Sequence, residues 1–134
     1  MKMKIVICAL LAIVLVAISI SLSNPLRRSQ EKIKESILEL TPIGMGMDDV
    51  LKVIENNKRW EIRYVRYDFG YRRPGIPDPA DVALGRGTYI GEKSIRVFLG
   101  DYRNIFITSV TVFWGFDENS KLIDVYVWKD ADTL

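Results

Sequence analysis

The chain has 134 residues, of which 49% are hydrophobic and 27% charged, a mix that folds as one globular domain and excludes intrinsic disorder. The formal net charge is +2, and setting aside Lys2 and Lys4 leaves 17 basic against 17 acidic side chains, too balanced for an extended nucleic-acid footprint. Histidine is absent and Cys8 is the single cysteine, so the commonest general base and metal ligand is missing and no intramolecular disulfide can form.

Residues 1–23, MKMKIVICALLAIVLVAISISLS, carry two lysines and then a near-continuous apolar run from Ile5 to Leu22. A basic start followed by such a run reads as a signal peptide or a retained membrane anchor. Ser19-Ile20-Ser21 and Ser21-Leu22-Ser23 both place small residues at the spacing a signal peptidase reads, so cleavage and retention both remain open. Arg27, Arg28, Lys32 and Lys34 follow the run and by the positive-inside count would hold the body in the cytoplasm. The short lysine-bearing N-terminus favours export, and an extracytoplasmic body, membrane-anchored or secreted, is the expectation.

Residues 24–40 open with Asn24-Pro25, a capping residue followed by one suited to the first helical position. Leu26, Ile33, Ile37 and Leu40 recur at helical spacing, so the segment reads as one helix, a stalk or the first packed helix, that stops before Pro42. Residues 41–134 read as an α+β domain. In it Met47, Val50, Leu51 and Ile54 form one helical stripe. Gly46 caps this second short helix, Asp48 and Asp49 complement its dipole, and Asn56 and Asn57 end it in a left-handed conformation. The glycines of TPIGMGMDD read as a turn between helices, because the aspartates occupy the place a phosphate would need and no Lys-Ser/Thr follows.

From Trp60 the period changes to two. Trp60, Ile62 and Tyr64 are expected on one face of a first strand, with Glu61, Arg63 and Val65 on the other. A second strand places Ile95, Val97 and Leu99 on one side. A third runs from about Ile105 to Phe116, with Phe106, Val110, Val112 and Trp114 as its apolar group. A fourth, Leu122 to Trp128, sets Ile123, Val125 and Val127 against Leu122, Tyr126 and Trp128, and DENS joins it to the third as a hairpin. The expected architecture is therefore an apolar leader helix, two short helices and a roughly four-stranded antiparallel meander. Residues 68–90 interrupt it with three prolines and four glycines and read as a long loop, the kind of segment that carries function.

No catalytic or metal-ligating constellation stands out, and no cofactor or metal is expected. Lys58, Arg59, Arg63, Arg66, Arg72 and Arg73 interleave with Trp60, Tyr64, Tyr67, Phe69 and Tyr71. These residue types dominate protein-binding surfaces. Tyr71, Arg72 and Arg73, beside the loop, are the candidate contact residues, with Trp114 and Trp128 as aromatic anchors if their sheet face is open. The expected function is a non-enzymatic protein-binding or inhibitory module of the cell envelope. It would meet a protein partner on the extracytoplasmic side and the membrane through its N-terminal segment. Two other classes stay open. One is an envelope hydrolase using the loop carboxylates Asp68, Asp78 and Asp81, and the other is a structural protein whose basic residues meet anionic lipid.

The turn TPIGMGMDDVLKVIE entering a short helix, and strands ending in FWGFDENSKLIDVYVWKD, resemble the small exported β-lactamase-inhibitor-like class, which includes small lipoproteins of outer-membrane barrel assembly. Gly44, Val50, Phe116, Asp117, Lys121 and Leu122 carry the resemblance, over roughly residues 41 to 129. It implies two helices followed by an antiparallel sheet, and binding of a protein through the sheet face and loops. The chain departs from the lipoprotein members in having no lipobox cysteine and in its long 68–90 segment.

Overall fold

A computed structural model describes residues 1–22, 24–74, 83 and 89–131, with the side chains of 18–22 outside the description. Three α-helices precede a four-stranded antiparallel sheet in simple meander order. The helices are α1 (Lys2–Leu22), α2 (Gln30–Leu40) and α3 (Met47–Asn56). The strands are β1 (Glu61–Arg66), β2 (Lys93–Arg103), β3 (Ile107–Phe116) and β4 (Leu122–Ala131).

Residues 1–17 are exposed throughout, so this stretch of α1 forms no part of the core. Among the described residues no helix is long and apolar enough to cross a membrane.

The expected helix over 24–40 is two elements. Asn24 caps a short 3-10 turn, Pro25–Arg27, by accepting a hydrogen bond from the Leu26 amide at 3.1 Å. Ser29 then starts α2 by accepting from Lys32 N–H at 3.3 Å. A second capping residue inside the periodic stretch makes the break. Ile33 and Ile37 are buried as the spacing predicts, whereas Leu40 stays half exposed. At the end of α3, Asn57 is not left-handed (φ −92°). Its side-chain amide donates to Val53 C=O at 2.9 Å and its backbone N–H to Ile54 C=O at 3.1 Å, closing the helix by another route.

The GMGM segment pairs with β4. Gly44 N–H donates to Leu122 C=O, Leu122 N–H to Met45 C=O, and Met47 N–H to Ser120 C=O, each at 2.8 Å. Amides that would have to face a phosphate are thus satisfied by the sheet, and the link between α2 and α3 is pinned to the start of β4.

One sheet face is the core. Ile95 and Val97 of β2, Val110, Val112 and Trp114 of β3, and Val125 and Val127 of β4 line it. Ile33 and Ile37 of α2 and Met47, Val50 and Ile54 of α3 close over them. Bulges shift the expected alternation at two strands. In β1 the register slips between Ile62 and Tyr64, so Ile62 and Val65 share the helix side and Tyr64 turns to the other. In β4 the slip beside Phe116 leaves Ile123 unpaired and 45% exposed, while Leu122 is buried. Phe106 lies before β3, on the hairpin tip, and does not join its apolar group.

Trp114 is fully buried at the centre of this core. Its indole N–H donates to Thr41 Oγ1 at 3.0 Å, and the Thr41 hydroxyl donates to Ile37 C=O at 2.8 Å. Thr41 follows α2 and is itself buried, so one hydroxyl ties the end of the helix to the middle of the sheet. Thr41→Val preserves the shape but leaves the indole N–H unpaired, a loss of about 1–3 kcal/mol. Urea unfolding of the full chain in neutral detergent should show that loss, and Thr41→Ser should restore most of it. Equal stability of Thr41→Val and wild type would contradict the assignment.

Candidate functional site

Among the described elements, α2 and α3 both pack on the first face and neither covers the second. Alternation along β2 and β4 sends Arg96, Phe98, Asp124, Tyr126 and Trp128 to it, and Phe113 of β3 lies between them. The chain after β1 folds back across this face. Ser94 Oγ donates to Phe69 C=O at 2.9 Å, and Tyr71 makes an isolated antiparallel bridge with Ile90, its N–H and C=O bonded at 3.1 and 2.8 Å. The two ends of the 68–90 segment are thereby clasped together. Gly70 permits this, since a Cβ there would lie 2.2 Å from Ile90 C=O.

Tyr71 is buried at 1% exposure. Its ring stacks on Phe113, with centroids 5.3 Å apart and planes 24° apart, and it passes over Gly115, where a Cβ would come within 2.9 Å of the ring. Its hydroxyl donates to Asp124 Oδ2. Arg73 donates to the same oxygen at 3.3 Å, and Lys34 of α2 approaches Oδ1 at 4.0 Å. Asp124 is therefore the acceptor that fastens the returning chain to β4. Burial first, then the hydrogen bond and charge of Asp124, push the Tyr71 hydroxyl far above the ordinary tyrosine range, against smaller lowering effects of Arg73. Burial lowers the Arg73 guanidinium, but its hydrogen bond to Asp124 and that carboxylate's charge outweigh it, so its value is raised.

Around this clamp, arginines lie on aromatic rings. Arg63 sits over Phe98 at 4.8 Å, Arg66 over Tyr64 at 4.3 Å, Arg72 over Tyr89 at 4.8 Å, Arg73 over Tyr126 at 5.2 Å and Arg96 over Phe113 at 5.4 Å. Stacking uses the face of a guanidinium and leaves its in-plane N–H donors available. Arg63 is paired with Glu61 at 3.0 Å, and Arg73 with Asp124. Arg66, Arg72 and Arg96 form no ion pair among the described residues.

Those three arginines border a cleft of about 420 Å³, together with Tyr64, Tyr71, Tyr89, Phe113 and Trp128. The described lining contains no carboxylate, and Arg96 Nε is buried without a hydrogen-bond partner. Among the described residues the cleft is thus a concave, aromatic-walled surface whose charged groups are all positive. No group of three or more His, Cys, Asp or Glu side chains among the described residues is placed to hold a metal ion.

The candidate contact residues divide. Trp128 is half-buried and lines the cleft, and Arg72 is exposed at its edge. Tyr71 lines it too, but its buried ring is a strut, and Arg73 is held by Asp124. Trp114 belongs to the opposite, helix-covered face, which is closed, so its indole offers no surface to a partner. Asp68 is exposed beyond β1, and Asp78 and Asp81 lie outside the described residues. Arg96 and Tyr89 also line the cleft, outside the Arg-aromatic cluster that the sequence marks between residues 58 and 73. Alternation with Ile95 and Val97 places Arg96 on the open face, but Tyr89 reaches it only through the Tyr71–Ile90 bridge.

Comparison with protein-family models, with curated proteins and with solved structures finds no match to this chain in any of the three.

A raised Tyr71 value means that the folded chain holds the phenolic proton more tightly than the unfolded chain. The clamp's contribution is then complete below about pH 10, where the unfolded tyrosine is also protonated, and is lost as pH climbs from there. At neutral pH Tyr71→Phe should be less stable by about 1–2 kcal/mol. Denaturant titrations of both chains from about pH 8 to 11 should show this gap narrowing. A gap that stays constant across that range would contradict the clamp.

Proposed function

We propose that this chain is a membrane-tethered, extracytoplasmic binding module that captures an acidic segment of a protein partner in the arginine-aromatic cleft. The observation that carries the reading is the cleft itself, where Arg66, Arg72 and Arg96 converge among aromatic rings with no carboxylate in the described lining. Three stacked guanidinium groups already fixed in orientation lose little entropy when a carboxylate binds, and the rings flank it with apolar contact area. Tyr64, Tyr89 and Trp128 would serve as the aromatic walls. Tyr71 and Arg73 would keep those walls in place from behind.

The tether in this reading is α1, whose residues 1–17 are exposed and apolar after Lys4. Exposed apolar surface of this extent, residues 5–17, is stabilised by contact with lipid. The order of two helices and then an antiparallel meander is what the resemblance to β-lactamase-inhibitor-like domains implies, and it supports binding without catalysis.

The test uses the full chain in neutral-lipid nanodiscs, titrated with a polyglutamate peptide by fluorescence anisotropy. Binding should be seen at low salt and should weaken as salt rises. The Arg66→Ala/Arg72→Ala double variant should keep its unfolding midpoint and bind at least tenfold more weakly. Equal affinity of the variant and the wild type would overturn the assignment of the cleft.

A further inference from the structure

The hairpin joining β2 to β3 ends in three consecutive exposed apolar residues, Ile105 at 87%, Phe106 at 41% and Ile107 at 44%. No described residue covers them, yet the tip is not loose. Arg27 donates to Asn104 Oδ1 at 3.1 Å and to Arg103 C=O at 2.8 Å, and lies 5.4 Å from the Tyr102 ring. Lys129 donates to Arg28 C=O and to Tyr102 Oη, the latter at 3.2 Å. Leu26 fills the space over Gly100. The segment that follows α1 is therefore bolted to the base of this hairpin.

Chain connectivity turns that bolt into a position. Leu22 and Pro25 are three peptide steps apart, which can span at most about 11 Å. Wherever α1 points, its end stays beside the tip. The basic side chains Arg27, Arg28, Arg103 and Lys129 gather at this end of the sheet and outnumber its acids, Asp101 and Asp130, which flank Ser109 on the neighbouring strands. Asp101 already accepts a hydrogen bond from Ser109 at 2.8 Å. An apolar tip with a basic collar, fixed next to an apolar helix, matches the headgroup layer of an anionic bilayer.

We infer that Ile105, Phe106 and Ile107 form a second membrane contact, entering the interfacial layer of the same bilayer that holds α1, with Arg28 and Arg103 on anionic headgroups. This rests on the tether reading. Two contacts fix what one leaves free to swing. The domain stands on the bilayer by its β2–β3 end, and the β3–β4 turn points away, the ten residues of β3 spanning about 33 Å. The arginine-aromatic cleft is then turned sideways and open to a partner in the space alongside the membrane.

Nitroxide labels test this in the full chain with Cys8→Ser, in nanodiscs of roughly one-third phosphatidylglycerol. Ala12→Cys reads the tether, Ile105→Cys the tip and Glu118→Cys the far end. Power saturation compares accessibility to oxygen, which enters lipid, with that to a nickel chelate, which stays in water. The oxygen-to-nickel ratio at 105 should exceed that at 118 severalfold and should fall when phosphatidylcholine replaces the anionic lipid. A nickel-accessible label at 12 would defeat the tether and this inference with it. Protection at 12 with a ratio at 105 equal to that at 118 would overturn the tip contact alone. Exclusion of both reagents at 105 would also overturn it, since that marks a protein contact.

Discussion

The open face of this sheet depends on one carboxylate. Asp124 accepts from the buried Tyr71 hydroxyl and from Arg73, and Lys34 of α2 approaches its other oxygen. Without it Tyr71 would bring an unpaired hydroxyl into a buried position, a cost set against the Ser94–Phe69 and Tyr71–Ile90 hydrogen bonds that also hold the chain leaving β1. With it, Tyr71 lies flat between Phe113 and Gly115, and Arg72 and Tyr89 are delivered to the edge of the cleft. The same carboxylate sets the charge pattern. It neutralises Arg73 and leaves Arg66, Arg72 and Arg96 without a described acidic partner.

The two sheet faces are stabilised in different ways. The helix-covered face is a largely branched-aliphatic core around Trp114, with the buried hydroxyl of Thr41 joining helix to strand. The open face is an arginine-aromatic lattice in which each guanidinium rests on a ring. Such a lattice holds long side chains in place without neutralising them. That combination suits a surface that must be ordered before it meets an anionic partner.

Much of this was legible in the sequence. Ile33 and Ile37, the stripe Met47–Ile54, and the alternations Ile95/Val97/Leu99 and Val125/Val127 mark the core side of their elements. The misplacements share a physical cause. Ser29 caps a helix in the middle of a periodic stretch, and the bulges beside Arg63 and Ile123 shift the alternation by one residue, a change that period-two reading does not register. The candidate site was half legible. The Arg and Tyr composition near residue 70 points to the right face, but which of those residues reach outward depends on the long-range pairs Tyr71–Asp124 and Tyr71–Ile90, which have no local signature. Trp114 and Trp128 look alike in sequence and lie on opposite faces of the sheet.

A standing orientation on the bilayer and a sideways cleft would make this domain a fixed receptor, and its central claim is that the cleft receives acidic groups. Arginine side-chain NMR tests that claim most directly, with the full chain in neutral detergent and an acidic peptide added in steps. The Nε–H signals of Arg66, Arg72 and Arg96 and the indole N–H of Trp128 should move together along one binding curve, while the indole N–H of Trp114 stays still. Shifts confined to residues outside the cleft, or none at a peptide excess that saturates binding, would contradict the account.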